Sequence, residues 1–157
     1  MRIITLSIMM LCLAVPPAGA RIHDPIALAA DPATSETPIA PLLEGLGDHH
    51  FPITTQVPES QIFFDQGLRL TYAFNHSEAL RAFKEAARLD PGNAMAYWGW
   101  ALVLGPNLNL PMVPAVAPRA HRAIRQALAL KDSVSERERA YIEALAKRYS
   151  ADPSADR

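Results

Sequence analysis

The sequence has few of the residues that fix a fold covalently or through a metal. Cys12 is the single cysteine among 157 residues, so no internal disulfide and no cysteine-based zinc site can form. Only 7 residues are glycine, which excludes a collagen-like chain. Charge of one sign is also lacking, since the formal net charge is −1, and this argues against a nucleic-acid partner. Half of the residues are apolar, which excludes wholesale disorder and favours about one folded domain.

Residues 1–20 have the pattern of a secretory signal peptide. Arg2 precedes an apolar run, and Ala18, Gly19 and Ala20 form a small-residue cleavage site. The apolar run is shorter than the roughly 20 residues that a membrane-spanning helix needs. We therefore predict cleavage after Ala20, a periplasmic or secreted mature protein, and no stable membrane span after processing.

Two segments of different character follow the predicted signal peptide. Residues 21–41 space four prolines among small and polar side chains, which predicts a flexible tether. Residues 42–57, LLEGLGDHHFPITTQV, are too apolar for a solvated linker, and their glycines and proline disfavour a long helix. We predict that this second segment is irregular and packs on the helices.

Helical patterns dominate the remainder, and no convincing strand is present. Asn75 and Asn93 are predicted to cap two of the helices, and Ser133 with Glu136 to form a capping box that opens the last one. A proline-rich loop is expected over 106–118, and a polar tail over 150–157. The fold class is therefore predicted as all-α, built from antiparallel helical hairpins. The five predicted helices cover approximately residues 58–74, 76–89, 94–104, 118–130 and 133–149.

One stretch of about 34 residues, 60–93, carries the spacing of a tetratricopeptide repeat. Small residues at two of its positions let the paired helices approach closely, and a proline blocks continuation of the second helix. Gln66 and Leu70 depart from the pattern, which usually has leucine and tyrosine there. The residues that define the repeat are Phe63, Gly67, Ala79, Phe83, Ala86 and Pro91.

On these residues the chain resembles tetratricopeptide-repeat proteins, and it is similar to the N-terminal region of larger exported bacterial members without an assigned function. Residues 94–132 then form a distorted second repeat that contains the long loop. Residues 133–149 correspond to the first helix of an incomplete third repeat. The resemblance implies an α-solenoid of about two and a half hairpins. We expect either a longer repeat protein or self-association through the open C-terminal end.

The resemblance also implies a concave, partner-binding groove lined by the first helix of each repeat. Phe64 and Leu68 occupy the places where some relatives clamp a carboxylate, so we expect a mainly apolar groove for a protein or peptide with an apolar segment. The alternative is that residues 42–57 cover these side chains from within. The predicted groove residues are Gln61, Phe64, Leu68, Thr71, Tyr72, Met95, Trp98 and Leu102.

Histidines are the only metal candidates, and they support a second hypothesis. In this alternative the chain is a periplasmic copper- or zinc-binding domain that uses His49 and His50, adjacent to Asp48, with His76 as a further ligand candidate. Adjacent residues of an extended chain point apart, which weakens the pair as a joint site. No nucleophile elbow and no glycine-rich phosphate loop is present, so an enzyme ranks third, and no cofactor is predicted.

Overall fold

The computed structural model describes residues 35–150 of the chain. The predicted signal peptide, residues 21–34 of the predicted tether and residues 151–157 of the predicted tail lie outside these described residues. Between residues 35 and 150 the chain is all-α, as predicted, and contains no strand. Its α-helices are α1 (Pro58–Tyr72), α2 (His76–Leu89), α3 (Ala94–Leu104), α4 (Ala117–Ala129) and α5 (Glu136–Ala146).

The helix ends show where local capping decides the boundary. The side chains of Asn75 and Asn93 cap α2 and α3, as the sequence indicates. The predicted capping box at Ser133 is wrong. Ser135 and Glu138 form it instead, so α5 begins three residues later than predicted. Ser133 lies in a 3-10 turn, where its hydroxyl donates to the Leu130 carbonyl at 2.7 Å.

The predicted loop over 106–118 is shorter than expected. A 3-10 helix over Pro114–Val116 leads directly into α4, which begins at Ala117. Pro114 and Pro118 are both tolerated because each lies in the first turn of a helix, where a missing N–H breaks no bond. The irregular part of the connection is therefore confined to residues 105–113.

The helices pack in the order of the chain, and each connection brings consecutive helices together. The closest pairs are α1 with α2 and α3 with α4, while α2 also packs on α3, and α5 on α4 and α3. Ser60, near the start of α1, donates to the carbonyl of Ala86, near the end of α2, at 2.8 Å, so the first pair is antiparallel. Asn93 joins α3 to this point by donating to the Ser60 hydroxyl at 2.8 Å.

The Phe83 ring lies at the centre of the first three helices. A Cβ atom at Gly67 of α1 would come within 2.7 Å of this ring, and one at Gly99 of α3 would overlap it. Both glycines are therefore required by close packing rather than by backbone conformation. Of the residues that define the first repeat, five are buried, namely Phe63, Gly67, Ala79, Phe83 and Ala86, and Pro91 is exposed in the turn after α2.

The region of α5 covers the far side of the α3–α4 pair. Ile142 and Leu145 are buried, and Tyr149, just beyond the helix, is buried and donates its hydroxyl to the Ala101 carbonyl at 2.7 Å. These three side chains therefore belong to the core, whereas Tyr141 is 45% exposed. No helix of the described chain combines the length and the apolarity that a bilayer crossing requires.

Candidate functional site

The candidate site is the surface on which residues 39–57, the N-terminal segment, lie. This segment has no regular secondary structure, and Gly45 and Gly47 adopt positive φ angles of 78° and 77° that favour glycine. It passes over α1 and reaches α2 and α5 through hydrogen bonds from side chains of the helices. We give the name segment-binding face to seven helix residues that contact it, the aromatic Phe64 and Tyr141 and five polar residues, Gln61, Asp65, Gln66, Glu85 and Glu138.

Two glutamines of α1 hold the segment in the same way. The side-chain oxygen of Gln66 accepts from the Leu43 amide at 2.8 Å, while its nitrogen donates to the Pro41 carbonyl at 2.9 Å. Gln61 repeats this pattern with the Ile53 amide at 2.9 Å and the Phe51 carbonyl at 3.0 Å. A primary amide carries a donor and an acceptor side by side. Each glutamine can therefore bind the carbonyl of one segment residue and the backbone amide of the residue two positions later.

Asp65 lies one helical turn after Gln61 and extends the same row of contacts. One carboxylate oxygen accepts from the Phe51 amide at 3.0 Å, and the other is 2.6 Å from Nδ1 of His50. The Gln61 side chain also donates to Asp65 at 3.1 Å, so the two residues orient each other. Asp65 is only 6% exposed, and these donors replace the water that burial removes.

Glu138 of α5 binds the end of the segment. Its carboxylate accepts from the backbone amide and the hydroxyl of Thr54, both at 2.6 Å, and from the amide and hydroxyl of Ser135. Burial would raise the pKa of Glu138, but the hydrogen bonds from Ser135 and Thr54 outweigh it, so the pKa lies below its ordinary value. Glu138 thus caps its own helix and anchors the segment at once.

Glu85 of α2 binds the other end of the segment. It accepts from the Ile39 amide at 2.8 Å and pairs with Arg88 at 2.6 Å. Burial would raise the pKa of Glu85, yet the hydrogen bonds from Arg88 and Ile39 lower it below its ordinary value. Arg81 donates to the Ile39 carbonyl at 2.8 Å, so both polar groups of that residue's backbone are bound by α2.

Phe51 is the aromatic anchor of the segment. Its ring centre lies 6.1 Å from that of Phe64 and 6.0 Å from that of Tyr141, within the range of favourable aromatic pairs. The Arg137 guanidinium lies 4.5 Å from the centre of the Phe51 ring and donates to the Pro52 carbonyl at 2.9 Å. The segment is therefore held by one aromatic side chain among many backbone contacts.

Three of the predicted groove residues do not reach the surface. Phe64, Leu68 and Met95 are at most 3% exposed, because the helices pack around them. Phe51 and Phe83 contact Phe64 from two sides. With the N-terminal segment in place, these three side chains are buried in the core.

The remaining predicted groove residues lie nearer to solvent, and Gln61 among them contacts the segment directly. Trp98 is half-buried and donates its ring N–H to the Tyr141 carbonyl at 3.1 Å, and Leu102 is half-buried on the same helix. Thr71 donates its hydroxyl to a carbonyl of its own helix, and Tyr72 is 66% exposed. The predicted set is thus divided between core, segment contacts and open surface.

The three histidine candidates do not come together. The His49 ring packs against that of Tyr72 with centres 5.9 Å apart, and His50 binds Asp65. His76 opens α2, where its Nδ1 contacts an asparagine side chain at 3.2 Å. Within residues 35–150 no group of three His, Cys, Asp or Glu side chains is placed to hold a metal ion.

Sequence reasoning missed most of the polar residues that hold the segment. Gln66 stands out in the sequence only as a departure from the leucine of the repeat pattern. Asp65 and Glu138 fall at helix positions where a solvated carboxylate is equally common. Gln66 did offer a signal, because it is a polar residue at a position that the repeat pattern buries. A buried polar side chain requires a hydrogen-bond partner, so the sequence indicated that something must contact Gln66.

No protein-family model matches the chain, and neither the curated proteins nor the solved structures contain a significant match to it. Fold and site together define its class as an all-α protein with an extended segment bound along its first helix.

Proposed function

We propose that the chain is a non-enzymatic scaffold of tetratricopeptide type that binds an extended peptide on its segment-binding face. The observation that carries the proposal is the recognition of the N-terminal segment through its backbone by Gln61 and Gln66. Backbone amides and carbonyls are common to all peptides. A partner's extended segment can therefore make the same hydrogen bonds once it displaces the chain's own.

Side-chain selectivity in this proposal comes from the Phe51 position. The pocket between Phe64, Tyr141 and Arg137 accepts a flat, apolar ring and offers a cation over its face. A partner with an aromatic residue at this place is favoured, and one with an ammonium group is disfavoured by desolvation and by the nearby charge of Arg137. The chain's own segment acts as a tethered competitor, whose high effective concentration raises the affinity that a partner needs.

Two further observations support the tetratricopeptide type. The first helices of successive pairs, α1 with α3 and α3 with α5, also contact each other, as neighbouring repeats do in a solenoid. The spacing of Phe63, Gly67, Ala79, Phe83 and Ala86 agrees with the repeat pattern. The pattern of residues 1–20 supports export, and the mass of the mature protein recovered from the periplasm tests cleavage after Ala20.

The binding proposal is tested with a fluorescent peptide that spans residues 39–57 and with the mature chain carrying Phe51→Ala. This variant weakens the chain's own anchor but leaves the helical residues unchanged. We expect saturable anisotropy with the variant, and weaker binding to the wild-type chain because its own segment competes. The matched control is the same peptide with Phe51→Lys, which should bind at least about tenfold more weakly because its ammonium group meets Arg137.

Two outcomes would overturn the proposal. Either the wild-type peptide binds neither form of the chain, or the two peptides bind equally well. Circular dichroism of the Phe51→Ala chain shows whether the helices are retained, so that loss of binding is not confused with unfolding.

A further inference from the structure

A cavity of about 580 Å³ lies beside the connection between α3 and α4. It opens to solvent and is lined by the start of α2, the end of α3, the 3-10 helix before α4 and the irregular residues 105–113. This volume is within the range of about 300–1,000 Å³ that is typical of small-molecule sites. None of its lining residues belongs to the segment-binding face, so the cavity needs a separate explanation.

The lining is mostly apolar and carries a few polar groups. Leu80, Val103 and Val116 supply apolar wall, while His76, Asn107 and Asn109 supply imidazole and amide groups. The Asn107 amide contacts Nδ1 of His76 at 3.2 Å, which holds these polar groups in one place. Amides and imidazoles both offer hydrogen bonds to an uncharged ligand.

The wall of the cavity has few groups that can carry charge. Its lining, which lies entirely within the described residues, includes no Asp, Glu, Lys or Arg. A carboxylate, phosphate or ammonium group that entered would lose water without gaining an Asp, Glu, Lys or Arg counter-ion from the lining. The lining therefore selects against charged ligands and favours neutral ones.

Phe74, at the rim of the cavity, has a strained backbone. It has φ of 58°, the one positive φ among the non-glycine residues that the structure describes. It follows the C-cap of α1, where the Asn75 amide donates to Leu70 at 2.9 Å and the Phe74 amide to Thr71 at 3.1 Å. Glycine is the usual residue at this place in such a cap. A phenylalanine that is 53% exposed at a strained position points to a role for its ring.

We propose that this cavity binds a neutral amphiphile, a molecule with an apolar chain or ring and one uncharged hydrogen-bonding group. The apolar part packs against Leu80, Val103 and Val116. The polar group bonds at the cluster of His76 and Asn107. Phe74 and Leu110, each about half exposed, line the rim and contact the ligand where it meets solvent.

The test uses N-phenylnaphthylamine, a neutral apolar dye whose fluorescence rises in apolar surroundings, and the mature chain. We expect saturable binding that decanol competes away. Decanoate and decylammonium have the same chain length but carry a charge, and they should compete at least about tenfold more weakly. Absence of saturable dye binding, or equal competition by the three compounds, would overturn the proposal.

Two leucines of the same loop provide a matched pair of variants. Leu110 lines the cavity and is 50% exposed, whereas Leu108 does not line it and is 94% exposed. Leu110→Asp should weaken dye binding about tenfold by placing a carboxylate at the rim, and Leu108→Asp should leave it unchanged. Equal effects of the two substitutions would contradict the assignment of the site.

A third variant guards against a loss of folding. Phe74→Gly suits the backbone of the α1 cap, so the helices should be retained in circular dichroism. Dye affinity should fall because the aromatic rim is lost. Unchanged affinity in this folded variant would exclude a role for the Phe74 ring in the proposed site.

Discussion

At the scale of single residues, Gly99 shows how the core limits substitution. Alanine is the better helix former by about 1 kcal/mol, so Gly99→Ala would stabilise an isolated helix. In the folded chain the added methyl overlaps the Phe83 ring. We expect a net loss of about 1–3 kcal/mol in the free energy of unfolding, measured by urea denaturation.

A second substitution tests whether the loss of stability comes from the overlap between the added methyl and the Phe83 ring. In the double variant Gly99→Ala with Phe83→Leu, the smaller side chain makes room for the methyl. The double variant should lose less stability than the sum of the two single variants. A Gly99→Ala protein more stable than the wild type would show that the two helices move apart at no cost.

Glu138 gives the second prediction at this scale. Glu138→Gln keeps the shape of the side chain but turns an NH₂ group towards donors that need an acceptor. We expect a loss of about 1–3 kcal/mol at pH 7, because buried donors of Thr54 and Ser135 lose their partner. Glu136→Gln, on the exposed side of the same helix, removes the same charge and should cost less.

The pH dependence of this loss follows from the pKa. The pKa of Glu138 is lower in the folded chain, so its contribution to stability is present above the ordinary glutamate range, near about 4.3, and disappears as the pH falls through the lowered pKa. The pKa of Glu85 is also lowered, so its contribution to stability depends on pH in the same way. The difference in unfolding temperature between the wild type and the Glu138→Gln variant should therefore become smaller from pH 7 to pH 3. A constant difference would contradict this linkage.

At the scale of elements, the N-terminal segment is a structural part of the helical unit. Deletion of residues 42–57 removes the Phe51 ring and leaves Asp65, Gln61 and Glu138 without their main partners. Because a net hydrogen bond contributes about 0.5–1.5 kcal/mol and the deletion removes several of them with the Phe51 ring, we expect a loss of about 3 kcal/mol or more in chemical denaturation. Leu42→Ser is the control, since Leu42 is 58% exposed and its substitution should have little effect. Unchanged stability of the deletion variant would refute this role.

The elements also show what the sequence could and could not predict. Asn75 and Asn93 marked their helices correctly, because a cap depends on residues within one turn. The prediction at Ser133 failed because Ser135 offers the same local pattern two residues later. Its partner Glu138 also binds Thr54, which is distant in sequence and invisible to a local pattern. The contacts of Gln66 and Asp65 were beyond prediction for the same reason. Their partners lie in the N-terminal segment, and no local sequence pattern predicts the path of that segment across the helices.

At the scale of the whole molecule, the described helices form one packed series in which each helix contacts its neighbours in the chain. The class was predictable from the spacing of Ala79, Phe83 and Ala86, since helical periodicity is a local signal. The burial of Ile142, Leu145 and Tyr149 was not, because it depends on how α5 meets α3 and α4. The arrangement leaves two distinct surfaces, the segment-binding face and the cavity beside residues 105–113, and the variants proposed for one leave the other intact.

The position of Phe83 between Gly67 and Gly99 has a consequence for the motion of the molecule. A phenyl ring turns over only when its neighbours retreat, and here two of the neighbours are helix backbones, at Gly67 and Gly99, which yield less readily than side chains. We expect Phe83 to turn slowly, with separate NMR signals for the two edges of its ring at low temperature. The temperature at which these signals merge would report how often the first three helices separate. Averaged signals at all temperatures would show that the core opens more readily than its packing indicates.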